Sequence, residues 1–188
     1  MRRTRQSGFT LTELVVTIVV FAVLAVVSIP SFVELRERNS LRGVADNFAA
    51  TVGLAKQEAI KRGEMVRVEF HAVGDAVCAG AIVVADDEDE GCDCSEDACD
   101  VIAFPEEAGD VGPLRRVTLT GGVAFGEDGD GFVIDPRTGT LFDVGDTGGF
   151  TLATAAGYQV RLDVNAMARV TACVPDGAET LAGVPACD

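Results

Sequence analysis

The chain has 188 residues, of which 30 are acidic and 15 are basic, so its formal net charge is −15. A field of this sign repels phosphate backbones and anionic headgroups, so nucleic acid is a poor partner and is not expected to bind. There is one histidine and no tryptophan, and no set of nucleophile, base and orienting residue can be nominated. No catalytic residue is therefore predicted.

The N-terminus combines a basic leader with a long apolar segment. The leader, MRRTRQSG (residues 1–8), carries three arginines and no acid. No charged side chain occurs between Leu14 and Val33, and a helix of that length spans roughly 30 Å, the hydrocarbon thickness of a bilayer. Glu13 lies at the N-terminal edge of this segment, where a carboxylate facing lipid would cost about 2.5–3.5 kcal/mol. We therefore expect a transmembrane helix over residues 9–33.

This arrangement resembles the N-terminus of type IV prepilins and type II secretion pseudopilins. In that family a membrane prepilin peptidase cuts after the glycine and methylates the new N-terminal residue. The resemblance implies a cut between Gly8 and Phe9. It also implies that Glu13 is the assembly glutamate and that Pro30 is the proline that loosens or kinks the helix. The alternatives are an ordinary signal anchor or a secretory signal peptide, and neither of them needs a glutamate at this position.

The same helix is expected to continue in an amphipathic form over residues 34–62. Lys61 and Arg62 suit a helix C-terminus, and Gly63 is a ready C-cap. Apolar residues recur at spacings of three and four, which places them on one helix face. We expect this face to pack on the protein's own domain; its residues are Leu41, Val44, Ala45, Phe48, Val52, Ala55 and Ala59.

From Met65 onwards the apolar residues alternate with polar ones, which predicts half-buried strands. The expected strands are residues 65–70, 77–85, 101–104, 114–120, 123–125, 132–134, 150–154, 158–164 and 169–173. Short strands separated by turns rich in glycine and aspartate predict an antiparallel β-sandwich over residues 63–188. The expected fold class is therefore α+β, with a long N-terminal helix followed by an antiparallel β-sandwich, as in pilins.

Within the pilin-like families, the chain is most similar to the GspH/FimT group of minor pseudopilins and minor pilins. The stretch LAKQEAIKRGEMVRVEF resembles the helix end and first strand of that group. The stretch YQVRLDVNAMARVTAC resembles its late strand–turn–strand unit, which ends near a cysteine. The group usually carries Gly-Arg at this second turn, where the present chain has Ala168 and Arg169. The similarity covers residues 1–70 and, more loosely, residues 114–173.

An acidic insert, DDEDEGCDCSEDACD, occupies residues 86–100 and holds nine carboxylates and three cysteines. Like charges at this density repel one another, so the insert is predicted to form a surface loop. The chain has six cysteines, and all of them follow residue 77, in the domain after the apolar segment. This number of cysteines suits an oxidising compartment outside the cytoplasm. Proximity along the chain predicts that the last two cysteines pair and that the first four pair among themselves. The six disulfide candidates are Cys78, Cys92, Cys94, Cys99, Cys173 and Cys187.

A metal site is the alternative interpretation of the insert. The CxC-x4-C cluster could bind zinc if its cysteines were reduced, and the carboxylates could bind calcium through oxygen. Neither the insert nor residues 127–132 fit the ligand spacing of an EF-hand loop. Disulfides and a solvated acidic loop are the preferred interpretation, so no metal and no cofactor are predicted.

The resemblance implies a noncatalytic minor subunit of a type II secretion pseudopilus or a type IV pilus, which primes or caps the filament. The implied partners are the prepilin peptidase, other pilins or pseudopilins, the inner-membrane assembly platform and inner-membrane lipid. The implied location is the bacterial inner membrane, crossed once, with the C-terminal domain in the periplasm before incorporation into a filament.

The alternative function is that of a DNA-binding minor pilin for natural transformation. That function would need a basic stripe, and only Arg161 and Arg169 lie near the final hairpin. Removal of the leader would leave 12 basic against 30 acidic residues, a net charge of −18. A charge of this sign disfavours the DNA-binding function.

Overall fold

The computed structural model describes residues 10–87, 89–96, 99–105, 114–126 and 129–187, without the side chains of residues 26–31. The chain divides into two compact units, Met1–Arg36 and Glu37–Asp188. The predicted cleavage site between Gly8 and Phe9 lies outside the described residues.

One long α-helix, α1, spans Leu11–Arg62. Thr10 acts as its N-cap, because the Thr10 hydroxyl accepts the N–H of Glu13 at 3.3 Å and the Thr10 carbonyl accepts the N–H of Leu14 at 3.2 Å. Across the described residues, no helix combines the length and the apolar character needed to span a membrane.

The C-terminal part of α1 ends as the sequence predicts. Gly63 has a φ of 72° and donates its N–H to the carbonyl of Ala59 at 2.9 Å, which is the geometry of a glycine C-cap. The apolar stripe of this part is buried. Its seven residues are Leu41, Val44, Ala45, Phe48, Val52, Ala55 and Ala59.

The described residues after the helix form two four-stranded antiparallel sheets. The strands are β1 (Met65–Val73), β2 (Ala76–Val84), β3 (Ile102–Phe104), β4 (Thr118–Phe125), β5 (Gly131–Ile134), β6 (Gly148–Ala153), β7 (Gln159–Asn165) and β8 (Arg169–Cys173). The first sheet has the strand order β3-β2-β1-β5 and the second has the order β4-β6-β7-β8. A long N-terminal helix followed by two antiparallel sheets confirms the predicted α+β, pilin-like fold.

Strand β4 differs from the prediction, which placed separate strands at residues 114–120 and 123–125. Leu114 instead begins a turn, in which its carbonyl accepts the N–H of Val117 at 2.8 Å. Gly121 and Gly122, with φ values of 80° and 83°, lie at a register shift inside a single strand. A glycine pair of this kind bulges a strand without ending it, which is why the two predicted strands are one.

The core lies where α1 meets both sheets. Phe48 of α1 makes edge-to-face contacts with Phe104 of the first sheet, at 5.2 Å between ring centroids, and with Phe150 of the second, at 5.3 Å. In β1 and β7, alternate residues point inwards and are buried, as the period of two predicts. On β1 and β7 these residues are Val66, Val68, Phe70, Val160, Leu162 and Val164.

Candidate assembly site and disulfide-bonded acidic loop

Glu13 is exposed in the first turn of α1, three residues after the Thr10 N-cap. A carboxylate at this position interacts favourably with the positive end of the helix dipole. Large apolar side chains on the same part of the helix are exposed as well: Leu11, Leu14, Val15, Val16, Ile18, Val19, Val20 and Phe21. An apolar helix surface of this extent needs cover from lipid or from other helices. The helix continues through Pro30, whose side chain is outside the described part.

A network of ionisable side chains that the sequence analysis missed lies on the outer face of β1. Glu69 is only 9% exposed, accepts a hydrogen bond from Arg67 Nε at 2.6 Å, and lies 3.1 Å from His71 Nε2. The three side chains share one face because residues two apart on a strand point the same way. Ionisable residues at every second position, in the sequence RVEFH, are the signal that could have revealed the network.

The acidic loop is tied to this face of the sheet by covalent and polar contacts. Cys78, which pairs with His71 across the β1–β2 ladder, forms a disulfide with Cys94 of the loop. The Arg67 guanidinium donates from Nη1 to the carbonyl of Asp87 at 3.1 Å. The loop is therefore anchored to the outer face of β1 and β2.

A second disulfide, Cys92–Cys99, closes the loop on itself. The loop lies against the sheet through two glycines that permit close approach. A Cβ at Gly80 would collide with the Sγ atoms of Cys92 and Cys99, and one at Gly91 would collide with the Glu69 carboxylate. Cys92 and Cys94 are buried, whereas the described carboxylates of the loop are exposed or half-buried.

Asp93 orders the middle of the loop. Its Oδ1 accepts hydrogen bonds from the Ser95 hydroxyl at 2.6 Å and from the Ser95 N–H at 2.8 Å. The Ser95 hydroxyl is the main cause that lowers the pKa of Asp93, followed by the Ser95 N–H, with a smaller contribution from the nearby His71. The charged form of Asp93 therefore stabilises this turn.

The remaining disulfide joins Cys173 to Cys187, as proximity along the chain predicts. The segment between them returns to the end of β8, where the N–H of Val174 donates to the carbonyl of Pro185 at 2.7 Å. The described cysteines are all in disulfides, so none is available as a thiolate ligand. Among the described residues, no group of His, Cys, Asp or Glu side chains is arranged to hold a metal ion.

The helix is held to the second sheet by polar contacts that periodicity alone does not reveal. The Arg38 guanidinium lies 4.6 Å from the centre of the Tyr158 ring and donates to its hydroxyl. The neighbouring Glu37 carboxylate accepts the N–H of Ala156 at 2.9 Å. Both charged residues therefore contact the turn between β6 and β7.

The two arginines near the final hairpin are in different environments. Arg161 Nε donates to both carboxylate oxygens of Asp163, at 2.9 and 3.0 Å. Arg169 is exposed at the start of β8. The pairing of Arg161 with Asp163 reduces the positive charge that this hairpin offers to an anionic ligand.

Two family descriptions match the chain. The "Prokaryotic N-terminal methylation motif" matches residues 3–29, which include the predicted cleavage site and Glu13. The family described as "Type II transport protein GspH" matches residues 44–168, which is 125 of the 188 residues. The chain therefore belongs to the GspH family of type II transport proteins. No curated protein and no solved structure matches it.

Membership of this family defines the class of protein. The chain is a pseudopilin or pilin subunit of a type II secretion system or of pili, and the family is a structural one. The methylation motif implies processing by a prepilin peptidase. The family implies a subunit that is anchored in the inner membrane, exposes its domain to the periplasm and enters a filament. The similarity to the GspH/FimT group that the sequence indicated is confirmed.

Proposed function

We propose that this chain is a noncatalytic minor subunit that assembles through its N-terminal helix and primes or caps a type II secretion pseudopilus or a type IV pilus. The observation that carries the proposal is the order of the two family matches. The methylation motif lies on the apolar segment and the GspH match lies on the folded domain. The N-terminal segment thus carries the motif for processing, and the folded domain carries the GspH match, as such a subunit requires.

The first step of the proposed pathway is removal of residues 1–8 by the prepilin peptidase. Cleavage between Gly8 and Phe9 would give Phe9 as a methylated N-terminus, with Thr10 capping the helix immediately after it. Residues 9–33 would then cross the inner membrane once, and the domain would lie on the periplasmic side. The assembly platform and other pilins or pseudopilins are the proposed partners.

The second step is extraction of the helix from lipid into a bundle of homologous helices. Glu13 is exposed among apolar side chains, so in a bundle it needs a positive partner. We propose that the partner is the N-terminal amine of Phe9 on an adjoining subunit. A charge pair in a low-dielectric bundle favours one axial register, because slipped registers leave both charges unpaired.

N-terminal mass analysis of the membrane-extracted protein tests the proposal. The expected mature chain begins with methylated Phe9, and a Gly8→Leu variant, the matched control, should keep its leader. A wild-type chain that retains residues 1–8, or that is cut beyond Pro30, would show that the chain is not processed as a prepilin.

DNA binding is the second candidate function, and the exposed Arg169 is the observation in its favour. The net charge of −15 and the Arg161–Asp163 pair oppose it. An electrophoretic shift measurement with duplex DNA at low salt separates the two functions, and we expect no shift.

A further inference from the structure

The outer edge of β8 is only partly covered. Val174 lies just after the strand. Its N–H donates to the carbonyl of Pro185, and its carbonyl accepts the N–H of Cys187. The main-chain groups of Val174 therefore point away from β7. Main-chain groups two residues apart on a strand point the same way, which directs those of Ala172 and Val170 to the same side. Between described residues, neither makes a main-chain hydrogen bond outside the β7–β8 pair. The strand therefore has unpaired main-chain groups at two alternate residues.

A groove of about 510 Å³ lies beside this strand, between it and α1. Its walls combine apolar surface with positive charge. Met167 is 60% exposed and Val170 is half-buried, so both offer apolar surface to a ligand. The groove is lined on the helix side by Ala49, Gly53 and Lys56 and on the hairpin side by Met167, Arg169 and Val170.

The charge of this groove is opposite to that of the protein as a whole. Lys56 donates one hydrogen bond from Nζ to the carbonyl of Met167 at 2.9 Å, which fixes the ammonium at the groove wall. Arg169 is exposed at the opposite wall. Among the residues that the structure describes, no carboxylate lines the groove, although the chain carries a net charge of −15. A ligand with negative charge is therefore the one that the groove complements.

We propose that the free edge of β8 and this groove, together the β8 edge site, bind an extended acidic segment of a partner protein. The segment would add a fifth strand to the sheet by hydrogen bonding to the main chain of Val170 and Ala172. Its carboxylates would face Lys56 and Arg169, and its apolar residues would contact Met167. This inference goes beyond the proposed function, because the site lies within Glu37–Asp188 and does not depend on assembly through the apolar part of α1.

The test uses the full chain in detergent micelles and a blocked peptide of alternating glutamate and valine, about eight residues long. Amide hydrogen exchange is followed by NMR. At a peptide concentration of about ten times Kd, exchange at Val170 and Ala172 should slow by about tenfold, since only the bound state protects them. A peptide with lysine in place of glutamate should give no protection.

Variants separate the charge contribution from the main-chain contribution. Lys56→Gln combined with Arg169→Gln should weaken binding of the glutamate peptide by about tenfold at low salt. Arg115→Gln combined with Arg116→Gln, on an exposed turn elsewhere, makes the same charge change and should leave binding within about twofold. The main-chain contribution is tested by Val170→Pro, which removes one outward N–H at an edge position where proline is tolerated. Should that variant not fold, Ala172→Pro makes the equivalent change.

Several outcomes would overturn the proposal. Equal binding of the glutamate and lysine peptides would remove the charge argument, and peptide binding without protection of Val170 and Ala172 would remove the strand argument. Duplex DNA that protects these amides where the peptide does not would make a nucleic acid the occupant. Protection that rises with protein concentration alone would make a second copy the occupant. None of these outcomes bears on N-terminal processing.

Discussion

The ring of Phe48 lies edge-on to the ring of Phe150, with centroids 5.3 Å apart and planes 82° apart. Phe48 belongs to α1 and Phe150 to β6, and both rings also contact Phe70 of β1, at 6.1 and 5.1 Å. Phe70 in turn stacks on Phe125 of β4 at 5.1 Å. Four aromatic rings thus join the C-terminal part of α1, after Arg36, to both sheets, so that part of the helix belongs to the domain core.

Replacing Phe48 with alanine should strongly destabilise the domain. Removing this buried ring leaves a cavity among the other phenylalanines, which costs about 3–5 kcal/mol in the free energy of unfolding. Urea unfolding of the full chain in detergent measures the change. The matched control is Leu54→Ala on the same helix, where the side chain is 45% exposed and the change should stay within about 0.5 kcal/mol. If Phe48→Ala lowered the free energy of unfolding as little as Leu54→Ala does, Phe48 would not be a core residue.

Gly80→Ala should prevent the disulfide-bonded loop from packing on the sheet. A Cβ at this position meets the Cys92–Cys99 disulfide, and overpacking of this kind costs about 1–3 kcal/mol. We expect lower stability to urea and faster proteolysis within residues 86–100. Gly43→Ala in α1 is the control, because no atom outside the adjacent residues and the nearby helix backbone lies within 4 Å of its added Cβ. Proteolysis of the loop that is unchanged in Gly80→Ala would contradict this arrangement.

Ala168→Gly should stabilise the protein. Ala168 has a φ of 51°, a left-handed conformation that costs an L-residue about 1–2 kcal/mol. Glycine relieves this strain but has more freedom in the unfolded chain, so the net gain should be about 0.5–1 kcal/mol. Thermal or urea unfolding measures it. Ala166→Gly in the same turn relieves no such strain and should destabilise.

The stability of the acidic loop should fall in acid because of Asp93. The pKa of Asp93 in the folded protein is lowered below the ordinary value of 3.8, mainly by the Ser95 hydroxyl. Its hydrogen bonds therefore stabilise the folded loop above that pH, and the contribution is lost as the pH falls through the folded-state pKa. Carboxyl NMR titration should show that Ser95→Ala raises the pKa of Asp93. Ser40→Ala in α1 should leave it unchanged, and an unchanged value in Ser95→Ala would exclude the hydroxyl as the cause.

Glu13→Ala and Glu13→Gln should both insert into the membrane and be processed, yet fail to enter filaments. Glutamine preserves the capping geometry that a glutamate provides three residues after the N-cap, but it lacks the charge. Thr10→Ala removes the observed cap while keeping the charge, and it should still be incorporated. Incorporation is measured in sheared filaments or in crosslinked minor-subunit complexes beside the membrane content. Normal incorporation of Glu13→Gln would show that the carboxylate does not set the register.

The sequence by itself determined the features that depend on local periodicity or on neighbours along the chain. Apolar residues at spacings of three and four identified the helix face that includes Phe48, and alternation identified β7 almost to the residue. The short separation of Cys173 and Cys187 predicted their disulfide. The leader and apolar segment identified the family. In each case the signal lies within one short stretch of the chain, so a single sequence window contains it.

The tertiary structure decided what joins distant segments. Arg38 and Tyr158 are 120 residues apart, and no periodicity indicates their contact. The burial of Glu69 depends on a loop that returns over β1 through its disulfides. The partly covered edge of β8 depends on strand order. Strand order and loop packing are set by the combined burial of side chains from many segments. That free energy belongs to the whole core, so no single stretch of sequence encodes it.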